Sequence, residues 1–178
     1  MKKSLIATGA ALSTYAFSLS ASATSLVELD LKDLVDGSTM VVVGEAIAQE
    51  NANTNDGAFT NTTFSVSDNI TGGAVGNVTV SVPGGFYNNG KYKLRETYPG
   101  APSFLPGMEV LMFLSDQAGN GNYSVVGFSQ GALLVRDSIE GKVVNLPNDG
   151  LGPVSIDTAK AEINKVRANQ RGSDKTIK

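Results

Sequence analysis

Residues 61–82 read NTTFSVSDNITGGAVGNVTVSV, and this stretch decides the fold class. Its two runs, on either side of Gly72 and Gly73, alternate small polar side chains with larger apolar ones. Successive side chains of a β-strand point to opposite faces, so this period of two predicts two strands that each bury one face. The side chains expected on the buried faces are Thr62, Phe64, Val66, Ile70, Val78, Val80 and Val82.

The sequence on either side extends this pattern of short strands. Residues 40–48, MVVVGEAIA, begin with apolar β-branched side chains on both faces, which predicts a strand buried on both sides. The polar run 51–57 is predicted to be a turn, because Asn, Asp and Gly favour turns. Further strands are predicted at 108–114, 123–128, 132–135 and 143–146, with a hairpin across residues 116–122.

A helix is predicted at each end of this strand region. Ser25 and Glu28 fit the N-cap and N3 positions of a capping box, and Gly37 is placed to end that helix. Ser155 is placed at the N-cap of a last helix. The apolar side chains expected to share one face of this last helix are Ile156, Ala159, Ile163 and Val166.

Together these elements predict a mainly β fold with peripheral helices. Short strands whose edges must be covered favour a small, partly closed β-barrel of the OB type, and a β-sandwich is the alternative. Residues 24–170 are expected to form this single β-rich domain, since about 150 residues suit one core. The polar residues 171–178 are expected to form a flexible tail.

The first 23 residues have the three parts of a secretory signal peptide. Lys2 and Lys3 give the positive start, and residues 5–19 form a moderately apolar stretch. Residues 21–23, Ala-Ser-Ala, give the small-x-small pattern at which cleavage is expected. The apolar stretch is shorter than the roughly 20 residues that a spanning helix needs. We therefore expect a periplasmic or secreted protein with no membrane insertion after cleavage.

The charge and composition of the chain limit its partners. Its formal net charge is −3, and removal of Lys2 and Lys3 with the signal peptide makes it −5. Nucleic acids and anionic membrane surfaces are bound through clustered Lys and Arg, so neither is an expected partner. The absence of Cys and His removes the usual ligands of zinc, copper, haem and iron–sulfur clusters. Oxygen ligands stay possible, and residues 51–57 resemble a calcium loop, but they lack its terminal Glu and fit a polar hairpin turn better, so no metal and no cofactor is expected.

Five pieces of sequence carry a resemblance to a known family. They are STMVVVGEAIAQE, FSVSDNITG, VTVSVPGG, GAPSFLPGMEVLMFL and YSVVGFSQG, spread over residues 26–135. They resemble an uncharacterised family of exported bacterial proteins, and this resemblance implies no activity. The early strands are also distantly similar to the OB-fold domains of netrins and tissue metalloproteinase inhibitors. Those inhibitors bind the catalytic zinc through an amino-terminal Cys, whereas the expected mature terminus here is Thr24, so only the fold is implied.

Two patterns bear on catalysis. Residues 127–131, GFSQG, match the G-x-S-x-G nucleophile motif, but the chain has no His to accept the serine proton. The following ALLVRD predicts a strand, so the motif is interpreted as a bend between strands. Paired carboxylates can hydrolyse glycosides without His, and the candidates beside apolar segments are Glu45, Glu96 and Glu109. Among 17 acidic residues such pairs arise by chance, so no catalytic residue is assigned and an enzyme is not expected.

The connection from Gly84 to Gly107 is the part of the chain most indicative of function. At about 24 residues it far exceeds the median loop of about 4–6 residues, and loops this long are usually functional or disordered. Tyr and Arg are enriched at binding hot spots. The residues predicted to contact a ligand are Phe86, Tyr87, Lys91, Tyr92, Lys93, Arg95, Tyr98 and Phe104. The alternative is that the aromatic residues close one end of the barrel, beside a short extra strand with a solvated basic face.

Three hypotheses of function follow. The first is an exported, non-enzymatic binding module that contacts an extracytoplasmic protein, peptide or glycan through residues 86–104. The second is a structural or matrix protein that self-associates through the polar faces and edges of the strands at 60–69 and 77–82. The third is a carboxylate-based hydrolase, in which substitution of Glu96 or Glu109 would abolish activity.

Overall fold

Strands dominate the protein and the helices are peripheral, so the predicted mainly β class is confirmed. The residues that the computed structural model describes are 27–54, 57–73, 76–88, 90–116, 121–147, 150 and 152–174. The predicted signal peptide, residues 1–23, lies outside the described residues. The elements in chain order are α1 (Leu31–Gly37), β1 (Met40–Thr54), β2 (Gly57–Thr71), β3 (Asn77–Pro83), β4 (Gly85–Asn88), β5 (Lys93–Glu96), β6 (Glu109–Ser115), β7 (Ser124–Val125), a 3₁₀ turn (Phe128–Gly131), β8 (Ala132–Leu134), β9 (Arg136–Ser138), β10 (Gly141–Asn145), β11 (Pro153–Ser155) and α2 (Ile156–Asp174).

The main sheet is antiparallel and has the strand order β3-β2-β1-β6-β7, with β8 also paired to β6. The predicted hairpin across residues 116–122 is confirmed, because Leu114 of β6 pairs with Val125 of β7, but its second strand, predicted over 123–128, ends at Val125. Two smaller sheets accompany it: β11-β10-β9 has three strands, and β4-β5 is a hairpin of two.

The centre of the main sheet is buried on both faces. In β1, Val41 and Val43 pack on one side and Met40 and Val42 on the other, as the apolar run MVVV predicted. The helix-side core comprises Leu34, Val35, Val41, Val43, Leu111, Phe113, Val135, Val144, Leu146, Ala159 and Ile163. The inner core comprises Met40, Val42, Ala46, Phe64, Val78, Val80, Val82, Phe104, Val110, Met112 and Leu114.

Three irregularities interrupt the ladder between β1 and β2. The register passes over Ile70, Ser67 and Ile47, each of which is left without an opposite partner. A β-bulge bends its strand, increases the local twist and re-aims the side chains beyond it. For this reason Ile70, predicted on the same face as Phe64, packs instead against the helix-side core, and the prediction for Ile70 is wrong.

The two ends of the main sheet approach each other at Tyr123. Its N–H donates to the Thr79 carbonyl and its carbonyl accepts from the Ser81 N–H, both at 2.8 Å. This forms one isolated parallel bridge with Val80 of β3. No continuous ladder among the described strands closes the sheet into a barrel.

The polar run predicted as a turn is mostly strand. β1 continues to Thr54 and β2 begins at Gly57, so residues 51–54 are in a strand. We call the paired residues 48–54 of β1 and 57–63 of β2 the ribbon. Residues 55 and 56 lie outside the described part. Turn preferences are local, whereas a ribbon that is solvated along its length accepts polar side chains as readily as a turn does.

The first helix begins later than predicted. Its N-cap is Asp30, whose side chain accepts from the Asp33 N–H, and Asp33 completes the capping box. The predicted box of Ser25 and Glu28 is wrong as the helix start, since the helix begins at Leu31, and Ser25 lies outside the described residues. Asp caps a helix as well as Ser does, so the sequence holds two candidate starts.

The second helix begins as predicted. The Ser155 hydroxyl accepts from the Thr158 N–H at 3.1 Å, and the predicted apolar face packs on the helix-side core. The helix continues to Asp174, so residues 171–174 of the predicted tail are helical, and residues 175–178 lie outside the described part. Neither helix is both long and apolar enough to cross a bilayer, judged over the described residues.

Candidate binding groove

The connection between β3 and β6 is folded rather than looped. It contains the β4–β5 hairpin, in which Phe86 lies opposite Arg95 and Asn88 lies opposite Lys93. Gly85, with φ +148°, brings the chain against the ribbon: a Cβ there would lie 2.9 Å from both Asn51 Oδ1 and Thr60 Oγ1. The sequence therefore needs glycine at this contact.

Polar side chains of the ribbon hold this hairpin in place. Asn51 Oδ1 accepts from the Phe86 N–H at 2.9 Å. The Thr60 hydroxyl donates to the Gly84 carbonyl at 2.8 Å, and the Gly84 N–H donates to the Ala58 carbonyl at 2.7 Å. The hairpin is thus positioned mainly by hydrogen bonds to its backbone, with little apolar burial.

Glu96, at the end of β5, ties the hairpin to the tip of the ribbon. Its Oε2 accepts from the Ala58 N–H and its Oε1 from the Tyr98 hydroxyl, both at 2.9 Å. The pKa of Glu96 is lowered, mainly by the hydrogen bond from the Ala58 N–H and to a smaller extent by that from the Tyr98 hydroxyl, because both stabilise the carboxylate. The same carboxylate raises the pKa of Tyr98.

A groove of about 230 Å³ lies between the ribbon and the segments 82–86, 95–98 and 101–104. Gln49 crosses its floor, where Nε2 donates to the Thr62 hydroxyl at 3.2 Å and to the Phe104 carbonyl at 3.1 Å. The lining includes Asn51 and Thr60 from the ribbon, Phe86, Arg95 and Tyr98 opposite, and the apolar side chains of Val82 and Phe104. The groove is therefore lined by amide, hydroxyl, guanidinium, aromatic and aliphatic groups.

The eight predicted contact residues do not form one surface. Phe86, Arg95, Tyr98 and Phe104 line the groove, and Phe86 and Tyr98 are 41% and 40% exposed. Phe104 is only 4% exposed and packs edge-on against Phe64 in the inner core, with ring centroids 5.0 Å apart. Its aromatic ring serves packing, which is the alternative that the sequence left open.

The remaining predicted residues lie on other parts of the hairpin. Tyr87 is opposite Leu94 and therefore on the other strand face from Phe86. Tyr92 follows the turn of the hairpin, where Lys91 Nζ lies 5.1 Å from the centre of its ring. Neither Tyr87 nor Tyr92 lines the groove.

Two cations stack on one aromatic ring of the hairpin. Lys93 Nζ lies 4.8 Å and Arg95 Cζ 5.5 Å from the centre of the Phe86 ring. Four other lysines are neutralised by ion pairs, namely Lys32, Lys142, Lys160 and Lys165. Within the described part of the chain, Lys93 and Arg95 form no such pair with a carboxylate. Among the described residues, Lys93 and Arg95 thus place two positive charges without an ion-pair partner on one face of the hairpin of an acidic protein.

The candidate catalytic carboxylates are divided between two places. Glu45 and Glu109 are opposite each other on β1 and β6, and Lys142 Nζ lies 2.6 Å from Glu109. Hydrogen bonding to Glu109 raises the pKa of Lys142. Glu96 is at the ribbon tip with both oxygens occupied. Each of Glu96 and Glu109 thus has a structural partner.

The GFSQG motif forms a 3₁₀ turn between β7 and β8, so its interpretation as a bend is confirmed. Gly127 and Phe128 both have positive φ, of 65° and 58°. Sequence reasoning missed the part that Gln130 plays in this turn. Its Oε1 accepts from the Leu29 N–H at 2.8 Å and its Nε2 donates to the Val27 carbonyl at 2.9 Å. The motif anchors the segment before α1.

The ribbon wall of the groove was also missed. Gln49, Asn51 and Thr60 lie far from the hairpin in sequence and gave no signal of a binding surface, and the polar run that contains Asn51 fitted a turn equally well. No group of three or more acidic side chains that could hold a metal ion occurs among the described residues.

Comparisons with known proteins add no family. No protein-family model matches the sequence, and a search of curated proteins finds no significant match. The resemblance to exported bacterial proteins and to netrin-like domains therefore stays a prediction.

Proposed function

We propose that the protein is an exported, non-enzymatic binding module that holds its ligand in the groove between the ribbon and the β4–β5 hairpin. The observation that carries this proposal is the fixed position of the hairpin. Asn51, Thr60 and Glu96 each bond to a backbone group across the groove. A wall held in place before the ligand arrives lowers the entropy cost of binding.

The fold that presents this groove is proposed to be a partly closed, OB-like barrel. The three bulges in β1 and β2 supply curvature, and the bridge between Val80 and Tyr123 joins the two ends of the sheet. The inner core then fills the interior, and the groove lies where the ribbon extends past it. Loops and faces at such an opening are frequent ligand sites in OB-folds.

Export supports the same function. The signal peptide predicted at residues 1–23 implies export, which is consistent with a role in recognition outside the cytoplasm. A non-enzymatic role is supported by two of the three candidate carboxylates, since Glu96 accepts two hydrogen bonds and Glu109 pairs with Lys142. Substitution of either residue is expected to alter structure before it alters any chemistry.

Self-association through β3 is less well supported. Tyr123 occupies the outward backbone groups of Thr79 and Ser81, in the middle of the β3 edge. A covered edge is a poor template for pairing with another chain.

The test is to map a panel of peptides and oligosaccharides onto the protein by amide chemical shifts. A ligand is expected to shift the amides of the groove, from Gly84 to Phe86 and from Arg95 to Tyr98. The matched variants are Tyr98→Ala, which removes a groove aromatic, and Tyr92→Ala, which removes one outside it. Binding should fall at least about tenfold in the first variant only. Equal effects of the two variants, or shifts located elsewhere, would contradict the proposal.

A further inference from the structure

We infer, resting on the proposed function, that the ligand is an acidic peptide in extended conformation that runs from the groove, at Arg95, along the outer edge of β5, where it adds as a third strand. Its acidic side chains, at alternate positions, would contact Lys93 and Arg95.

The first support is the edge itself. β5 pairs with β4 on one side, and no other described strand pairs with it. The hairpin contacts the ribbon mainly through β4, where the Phe86 N–H donates to Asn51, and β5 contacts the ribbon at its last residue, Glu96, so the edge of β5 over residues 93–95 faces outward. An exposed edge of a sheet presents unpaired N–H and C=O groups, which an extended peptide can satisfy.

The second support is charge at the spacing of a strand. Lys93 and Arg95 are two residues apart in β5, so their side chains emerge on the same face, roughly 6.6 Å apart along the strand. Acidic residues at alternate positions of an added strand have the same spacing. Neither cation has a described carboxylate partner, and Arg can bind a carboxylate through two parallel hydrogen bonds.

The third support is pre-organisation of the cations. Both side chains stack on the ring of Phe86, which already restricts their conformations. The entropy cost of ordering Lys93 and Arg95 on binding is therefore smaller. The edge and the charge occur together on one strand. An acidic glycan would use the charge alone, because it has no peptide backbone to pair with β5, so the observations favour a peptide.

The experiment measures fluorescence anisotropy of short labelled peptides with protein purified from cells that express the full chain. One peptide carries Glu at alternate positions, and a second has the same composition with its Glu residues adjacent. The alternating peptide is expected to bind about tenfold more tightly or better, since only it matches both cations. Equal affinity would overturn strand addition.

Two pairs of controls make the test specific. Lys93→Gln/Arg95→Gln should weaken binding of the alternating peptide at least about tenfold, whereas Lys32→Gln/Lys165→Gln, with the same change of charge, should not. Two further peptides are N-methylated at every second backbone amide, one at the odd positions and one at the even positions. Only the peptide whose methylated amides face β5 should lose binding. Equal binding by both methylated peptides would overturn the inference.

Failure of the inference can be told from failure of the proposed function. If acidic peptides do not bind, and a neutral peptide or a carboxylated oligosaccharide shifts the groove amides in a Tyr98-dependent way, the inference fails and the binding module stands. If no probe changes the amide chemical shifts of the groove, both the inference and the proposed function fail. Lys93 and Arg95 would then be charged residues that protect an edge strand from pairing with another chain.

Discussion

The two halves of β1 show how one strand divides the work of this protein. Residues 40–46 pair with β2 and β6, and their apolar side chains are buried in both cores. Residues 48–53 pair with β2 alone, and their side chains are exposed or half-buried. The first half is held by burial and the second by its polar contacts to the hairpin.

This difference locates stability and binding in separate parts of the molecule. Full burial of a large apolar side chain contributes about 1.5–3 kcal/mol, whereas a single hydrogen bond contributes a net of about 0.5–1.5 kcal/mol. Changes near residues 40–46 should therefore alter global unfolding. Changes near residues 48–53 should alter the groove and leave the core folded.

The largest effect is expected from Phe64→Ala. Phe64 is opposite Ala46, is fully buried in the inner core and contacts the ring of Phe104. The cavity should lower the free energy of unfolding by about 3–5 kcal/mol, as measured by urea denaturation. Asn77→Ala, an exposed change on β3, is the control and should stay within about 0.5 kcal/mol. A loss for Phe64→Ala no larger than the control would break the comparison.

A smaller, local effect is expected from Asn51→Ala in the second half of the strand. The change removes the acceptor of the Phe86 N–H, so hydrogen exchange at that amide should accelerate. Global stability should fall by no more than about 1 kcal/mol. Asn53→Ala is the matched control, since Asn53 is on the same strand and does not line the groove. Faster exchange throughout the inner core would instead show that the two halves are not independent.

The smallest effect concerns the pH dependence of the ribbon tip. The pKa of Glu96 is lowered from 4.5, so the contribution of its hydrogen bonds to stability is complete above that value and is lost as the pH falls through the lower folded pKa. Amide shifts of Ala58, followed from about pH 7 to about pH 3, should report this step. Glu96→Gln should remove it. Tyr98→Phe should move the step toward higher pH, because the carboxylate loses one donor. An unchanged midpoint would show that this hydrogen bond does not hold the tip.

The sequence predicted the strands whose burial pattern is regular and missed the positions where tertiary contacts change the pattern. Alternation found the strands that carry Phe64 and Val80, and an apolar run found β1. Alternation could not place Ile70, because bulges in the β1–β2 ladder change the face of the side chains that follow. A bulge depends on pairing with another strand and leaves little trace in one segment.

The candidate site was predicted on one side only. Length and aromatic content identified the chain after Gly84, and Phe86, Arg95 and Tyr98 do line the groove. Phe104 also lines the groove but is buried, and the sequence could not distinguish it from the exposed residues, because an aromatic residue fits a core and a binding surface equally well. Asn51 and Gln49 gave no signal, since their partners are distant in sequence and polar residues fit turns.

The two hydrogen bonds of the Gln130 side chain to Val27 and Leu29 have a practical consequence for fusion proteins. Val27 follows the predicted cleavage site by four residues, which span at most about 14 Å when fully extended. A reporter domain attached in place of the signal peptide would be tethered within that distance of the 3₁₀ turn. A long Gly/Ser spacer would relieve this crowding. The change of melting temperature with spacer length would measure how much the hydrogen bonds of Gln130 contribute to stability.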